Sequence, residues 1–414
     1  MYFLYQLFVL LFHWVMQLAS LFHPKAKLWV NGRKNWKQKL SHELKGKENC
    51  IWVHSASLGE FEQGRPLIEK LKKEHPSYTI VLSFFSPSGY ELRKNYQHAD
   101  VVTYLPMDLK RNAKDFIALL NPKMAVFVKY EYWFNYLNEL ERRNTPTFLL
   151  SGILWKDLYF FKSYGKWFSR QLSAFEHFFV QNTATAELLK SIGYKNTTVC
   201  GDSRFDRVIE LPKEPFKPEE LEEFAPNNNA LIFGSSWEKE NEFAIKIAEA
   251  LPHQKIIIAP HEIDAAKIEK LKSNFNKALL WSEINNNFPL LKETQVLIID
   301  SIGMLSKLYR YGKIAIIGGG FGAGIHNTLE AAVYGLPLVF GPNYQRFQEA
   351  VDLIKLNAAF SVNNYNEFET KIQQLLNDTD FYQKAAEAAE KYVKESSGAT
   401  EEMLEYLRRN RIIQ

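Results

Sequence analysis

The sequence has little cysteine. Cys50 and Cys200 are the only two in 414 residues, they lie far apart, and they form no motif. That suits a reducing compartment and argues against a cysteine-held metal cluster. No HExxH pair, carboxylate triplet or strand-end DxD supplies another metal site; Asp378-Thr379-Asp380 has the DxD spelling but reads as a helix start. No large excess of charge is present either. The net value of +4 points to no polyanion, so nucleic acid is not an expected partner. Short-period repeats and low-complexity tracts are missing. The dinucleotide fingerprint GxGxxG does not appear early in a domain, which argues against a dinucleotide oxidoreductase.

Long apolar runs are also scarce, with one exception. Met1 to Phe22 is almost continuously apolar, broken by Gln6, His13, Gln17 and Ser20. Its length is near the ~20 residues that span a bilayer. It lacks a basic segment before the run and a convincing cleavage site, which disfavours a removed signal peptide. Lys25, Lys27, Arg33, Lys34, Lys37, Lys39, Lys45 and Lys47 follow, against one acid, Glu43, between His23 and Lys47. The positive-inside rule then puts the remainder on the cytoplasmic side. The run is expected to anchor the chain, by spanning or by lying in the membrane plane; the alternative is a helix packed on the domain.

The remainder alternates short apolar strands with helices, the pattern of parallel sheets covered on both faces. Strands are expected at 51–54, 78–84, 101–105, 124–128, 147–150 and 177–181, then at 230–233, 255–259, 296–299, 314–317 and 336–340. Residues 154–176 are aromatic-rich and expected to be helical, as are 368–409. Pro212, Pro215, Pro218 and Pro226 mark a linker. The predicted division is 1–22 as membrane anchor, 23–211 as the first Rossmann-like domain and 212–414 as the second. On such sheets ligands sit at the carboxyl ends of strands.

The densest stretch is Lys313 to Pro342, KIAIIGGGFGAGIHNTLEAAVYGLPLVFGP. It reads as strand, glycine loop, helix, strand. Asn327 is placed as an N-cap, with Glu330 three residues on to close a capping box. Two readings stand. The glycines only turn the chain and Glu330 only caps, or the loop and helix start hold a nucleotide phosphate while Glu330 faces ribose hydroxyls.

Three further residues are candidates for chemistry. Glu60 follows a strand and a small-residue turn and opens a helix; a carboxylate there suits a general base, or merely complements the helix dipole. Glu131, in Lys129-Tyr130-Glu131-Tyr132-Trp133, follows the strand 124–128 and either binds a sugar or caps a helix. Arg204, in GDSRFD, either neutralises a phosphate or carboxylate or pairs with Asp202 or Asp206. His261 follows a strand, although most lone histidines are structural.

Together HSASLGEFEQGRPL, KYEYWFN, GDSRFD, GSSWEKE, APHEI, DSIGML and the glycine stretch resemble, in order and spacing, the 3-deoxy-D-manno-oct-2-ulosonic acid (Kdo) transferases of lipopolysaccharide synthesis. The resemblance covers nearly the whole chain. It implies an α/β GT-B glycosyltransferase, two Rossmann-like domains facing a cleft with an N-terminal membrane anchor. It further implies metal-independent, inverting transfer of Kdo from CMP-Kdo to a lipid A precursor at the cytoplasmic face of the inner membrane. CMP-Kdo is then a substrate, no cofactor is needed, and the partners are the donor, the lipid acceptor and membrane lipids. By the same resemblance Glu60 is the base, and Glu131 and Arg204 stabilise the transition state. Pro260 and His261, Ile302, Gly303 and Met304, and Asn327, Thr328, Leu329 and Glu330 hold CMP. The chain departs from the family pattern at Pro260, Met304 and Phe134, where Arg, Glu and Pro are common. Alternatives are another nucleotide-sugar transferase or an epimerase of the same fold, and a tethered nucleotide-sugar-binding protein without turnover.

Overall fold

The computed structural model describes residues 1–284 and 288–413. They divide into two compact units, Met1–Arg207 with the C-terminal 397–413, and Val208–Ser396.

The first unit is built on a parallel sheet of seven strands: β1 (Cys50–Ser55), β2 (Thr79–Phe84), β3 (Val101–Tyr104), β4 (Met124–Val128), β5 (Thr147–Gly152), β6 (His177–Val180) and β7 (Thr197–Val199). β1, β2, β4 and β5 are buried along their whole length, which is why they read as short continuous apolar runs and not as alternations. The spatial order is β3-β2-β1-β4-β5-β6-β7. The chain therefore grows outward one way from β1 and the other way from β4. The strand order reverses between these two neighbours, and that switch point is where loops diverge and leave room for a ligand.

The second unit repeats the plan. Its strands are β8 (Ala230–Ser236), β9 (Ile256–Pro260), β10 (Ala278–Leu280), β11 (Val296–Ile298), β12 (Gly312–Ile317), β13 (Leu338–Phe340) and β14 (Ala359–Ser361), in the order β10-β11-β9-β8-β12-β13-β14 and all parallel. Here the switch point lies between β8 and β12. The short edge strands β7, β10 and β14 carry too few apolar residues to stand out in the sequence.

Three expectations are corrected. The C-terminal segment does not stay with the second unit. The helix Ala399–Arg409 carries an apolar stripe, Met403, Leu404 and Leu407, that is buried in the first unit's core beside Ile51, Val53 and Phe148. Asp206 accepts the N–H groups of Gly398 and Thr400 at the start of this helix. The proline-rich stretch is no free linker. Arg310 donates to the carbonyls of Phe216, Pro212 and Glu214, which holds it inside the second unit. Residues 154–176 form only short turns and helices, Tyr159–Phe161, Lys166–Arg170 and Gln171–Ala174, because their aromatic side chains pack on one another at irregular spacing.

The N-terminal helix, Tyr2–Ala19, lies along the first unit. Val9 is buried, Tyr5 packs on Phe134 with ring centroids 4.9 Å apart, and Phe12 packs on Trp29 and Phe85. The hydroxyl of Tyr5 donates to the buried carboxylate of Asp108, and Gln6 donates to Asn135 at 2.8 Å. The opposite face is exposed and wholly apolar: Phe3, Leu4, Leu7, Phe8, Leu11, Trp14, Val15 and Leu18. Arg33, from the basic run, is used inside the unit. Its guanidinium sits 3.8 Å over Trp29 and donates to the carbonyls of Leu105, Phe85 and Trp29.

Candidate functional site

Glu60 sits where β1 gives way to the helix Leu58–Glu74. Ser57 is the N-cap. Its hydroxyl oxygen accepts the Gly59 N–H at 3.2 Å and its O–H donates to Oε2 of Glu60. Glu60 thus stands in the first turn of its helix, bonded to the N-cap side chain, where a carboxylate also complements the helix dipole. Its other oxygen, Oε1, is 3.9 Å from Nζ of Lys129, which follows β4 directly. The side chain is buried and has this cation within reach. Lys129 itself adopts φ +73°, a left-handed conformation uncommon for a non-glycine residue. Tyr130 and Glu131 follow it in the loop after β4. Burial, together with the nearby charges of Glu60 and Glu131, raises the Tyr130 phenol pKa.

Glu131 is held from behind. The indole N–H of Trp133 reaches Oε2 of Glu131 at 2.8 Å and Nε2 of His54 at 3.0 Å. His54, fully buried on β1, meets the hydroxyl of Ser83 at 2.8 Å through Nδ1, and Trp52 donates to the same hydroxyl. Since an indole can only donate, His54 Nε2 is the acceptor and its proton lies on Nδ1. Glu60 and Glu131 thus occupy the two loops of the first switch point, one after β1 and one after β4. Glu131 caps no helix; Trp133 is the N-cap residue of Phe134–Arg142.

Arg204 belongs to the same network at one remove. Its Nε and Nη2 each donate to Oδ2 of Asp202 at 2.9 Å, and Gln63, one turn after Glu60, donates to the same oxygen at 2.9 Å. The salt bridge to Asp202 is therefore formed, while Asp206 serves the C-terminal helix. The Arg204 side chain keeps about a third of its surface exposed.

In the second unit the expected residues follow the carboxyl ends of neighbouring strands: Pro260 and His261 at β9, Ile302 to Met304 after β11, and Asn327 to Glu330 after β12. His261 stacks on His326 at 4.4 Å and on Trp237 at 4.5 Å, and Trp237 donates its indole N–H to His326 Nε2 at 3.0 Å. Burial and the neighbouring His261 lower the pKa of His326, so its ring is neutral with the proton on Nδ1. Ile302 is almost fully exposed, and Gly303 takes φ +93°. The hydroxyls of Thr328 and Ser236 are buried without a hydrogen-bond partner among the described residues.

Two local expectations change here. Asn327 does not open a long helix. The helix is only Leu329–Ala332 with Thr328 as its N-cap; Asn327 accepts the Leu329 N–H at 3.0 Å and donates to Glu330 at 2.9 Å. The glycines mainly let backbone approach backbone. A Cβ on Gly318 would lie 2.0 Å from the Ser235 carbonyl oxygen, and one on Gly320 would lie 2.5 Å from Gly341 N. The Gly319 N–H is already taken by the buried carboxylate of Glu240 at 2.9 Å.

His54, Ser57, Lys129, Trp133, Trp237 and His326 were not singled out from the sequence. Each lies inside a motif quoted above, but a side chain that acts by orienting another leaves no spacing signal of its own.

The comparisons with known proteins agree with this architecture. A family model described as 3-deoxy-D-manno-octulosonic-acid transferase (kdotransferase) matches residues 34–207. The 3-deoxy-D-manno-octulosonic acid transferase of Aquifex aeolicus is 30% identical over 346 residues, covering 80% of this chain and 88% of that protein. The one from Rickettsia felis is 26% identical, covering 89% and 81%. Among solved structures, a putative UDP-N-acetylglucosamine 2-epimerase from Listeria monocytogenes superposes with a TM-score of 0.60 at 14% identity, covering 89% of this chain and 98% of that one, which is a likeness of fold. With two doubly wound units, carboxylates at the first switch point and a relative this similar over most of its length, the chain belongs to the Kdo transferase family of GT-B glycosyltransferases.

Proposed function

We propose that the chain transfers Kdo from CMP-Kdo to a lipid A precursor of the lipid IVA type, with inversion and without a metal ion. The observation that supports this best is the pair of carboxylates at the β1/β4 switch point, Glu60 with Lys129 beside it and Glu131 held by Trp133. Glu60 takes the proton of an acceptor hydroxyl as that oxygen attacks the anomeric carbon. The bond from this carbon to the phosphate oxygen breaks on the opposite face, and CMP leaves with the electron pair. Glu131 offsets the positive charge that builds on the sugar, and Arg204 the negative charge on the leaving phosphate. CMP is held by Pro260, His261, Ile302 to Met304 and Asn327 to Glu330, with Trp237 and His326 completing the aromatic face. Among the described residues no three His, Cys, Asp or Glu side chains converge as a metal site.

The N-terminal helix works as an interfacial anchor in the inner membrane, its apolar face in the lipid and the catalytic units on the cytoplasmic side. A lipid acceptor then reaches Glu60 without leaving the bilayer surface. Lys25, Lys27 and Lys34 add attraction to anionic headgroups.

The test is a transfer assay with the full chain, CMP-Kdo and a tetra-acylated lipid A precursor, with EDTA present, read by mass spectrometry. Product mass shifted by Kdo is expected. Glu60→Gln, folded as judged by circular dichroism, should lose about 10²–10⁴-fold in turnover; near-normal turnover would remove Glu60 from the role of base.

A further inference from the structure

Tyr130 and Trp155 are large aromatic residues left open to solvent beside a buried carboxylate. Trp155 is 49% exposed and Tyr130 37%, and their ring centroids are 5.8 Å apart. Two adjacent exposed aromatic rings beside a buried carboxylate offer apolar area to a ligand that also carries hydroxyls. Neither position is accidental. Tyr130 lies in the loop after β4 and Trp155 in the loop after β5, and these strands are neighbours. Lys129, directly after β4, takes φ +73°, and Ser151, near the end of β5, takes +51°. The pairing of β4 with β5 brings the two loops, and with them the two rings, together.

The platform is continuous with the proposed base. Lys129 links the two, its Nζ lying 4.9 Å from the Tyr130 ring centroid and 3.9 Å from Glu60 Oε1. Trp155 also lines an open surface depression of about 610 Å³ with Leu154, Ala184 and Leu188 and the charged Lys156, Asp157 and Glu187. A pyranose ring has an apolar C–H face and a rim of hydroxyls. It matches an exposed aromatic ring, here two rings inclined at 52° to each other, with a carboxylate nearby, whereas an acyl chain would leave the carboxylate unused.

We propose that Trp155 and Tyr130 form the platform on which the acceptor's amino-sugar ring stacks, with Trp155 the specificity-determining residue that sets which hydroxyl meets Glu60. This rests on the transferase reading above. The platform touches the acceptor only, so it separates from donor binding.

The test uses the full chain in detergent and two readouts. In transfer kinetics, Trp155→Ala should raise KM for the lipid acceptor by about tenfold while KM for CMP-Kdo stays within about twofold, and Trp155→Phe should recover most of the loss. In turnover-free titration, a deacylated bisphosphorylated glucosamine disaccharide should bind the native chain and bind Trp155→Ala about tenfold more weakly. An unchanged acceptor KM in Trp155→Ala, or a rise in the CMP-Kdo KM instead, overturns the platform; the latter outcome would assign the rings to the donor. If Trp155→Ala unfolds, Trp155→Leu takes its place, because it keeps the bulk and loses the flat face. Failure of the native chain to transfer Kdo, with disaccharide binding intact and lost in the variant, would sink the transferase reading and leave the platform standing.

Discussion

His54 Nε2 lies 3.6 Å from Glu131 Oε2, and the single indole N–H of Trp133 reaches both. A fully buried histidine on β1 thus sets the orientation of a carboxylate that follows β4. Replacing His54 with Leu leaves Trp133 bonded to Glu131 alone and removes one partner of Ser83, which Trp52 still satisfies. Stability should fall by about 1–2 kcal/mol in denaturant titration. Turnover should fall by about tenfold, with His54→Gln, which keeps a polar atom near Trp133, intermediate. Equal turnover in the Leu variant would show that Glu131 is placed without His54.

Arg204 tests differently because it is partly exposed. Because Asp202 is buried, Arg204→Ala leaves its carboxylate with Gln63 and a backbone N–H as donors and should lower the unfolding midpoint modestly. Its loss should nevertheless cost about 10²–10³-fold in turnover if it faces the leaving phosphate. Asp202→Asn is expected to reduce turnover less, since Arg204 keeps its charge and loses only its tether.

His177 gives the first unit a pH dependence. It is stacked on Tyr406 of the C-terminal helix at 4.3 Å and bonded to Thr198, and burial with the Arg409 charge lowers its pKa from 6.5 to about 4. Between those two values the unfolded chain binds a proton that the folded chain does not. This stabilisation is therefore complete above pH 6.5 and is lost as pH falls toward 4. Thermal unfolding at pH 7.5 and pH 5.5 should show a larger drop in the native chain than in His177→Phe. The same drop in both would show that other groups dominate.

The N-terminal helix has two faces with separable roles. Leu4→Glu with Leu11→Glu alters only exposed positions and should move the protein from the membrane pellet to the soluble fraction with no change in unfolding midpoint in detergent. Tyr5→Phe should do the reverse. It deprives the buried Asp108 of a donor, with an expected loss of about 1–3 kcal/mol, and leaves membrane retention intact. Burial already holds the Asp108 carboxyl up at about 6, so this loss should be largest above that pH.

The sequence by itself determined the two α/β units and the central strands. β1, β4, β8 and β12 are buried on both faces and so had to be continuous short apolar runs such as Ile51 to Val53 and Ile314 to Ile317. It also put forward Glu60 and Glu131, each just after a strand end, and Arg204 in GDSRFD, as candidates. Tertiary structure alone decided which strands adjoin, and with that the switch points that bring Glu131 to Glu60 and His326 to Trp237. It decided that the C-terminal helix joins the first unit, because an amphipathic stripe specifies that a face is buried but not what covers it. It also decided that the N-terminal helix lies along its unit. Hydrophobicity measures transfer from water, and only the bonds of Tyr5 and Gln6 to Asp108 and Asn135 show which side of the helix protein has already claimed.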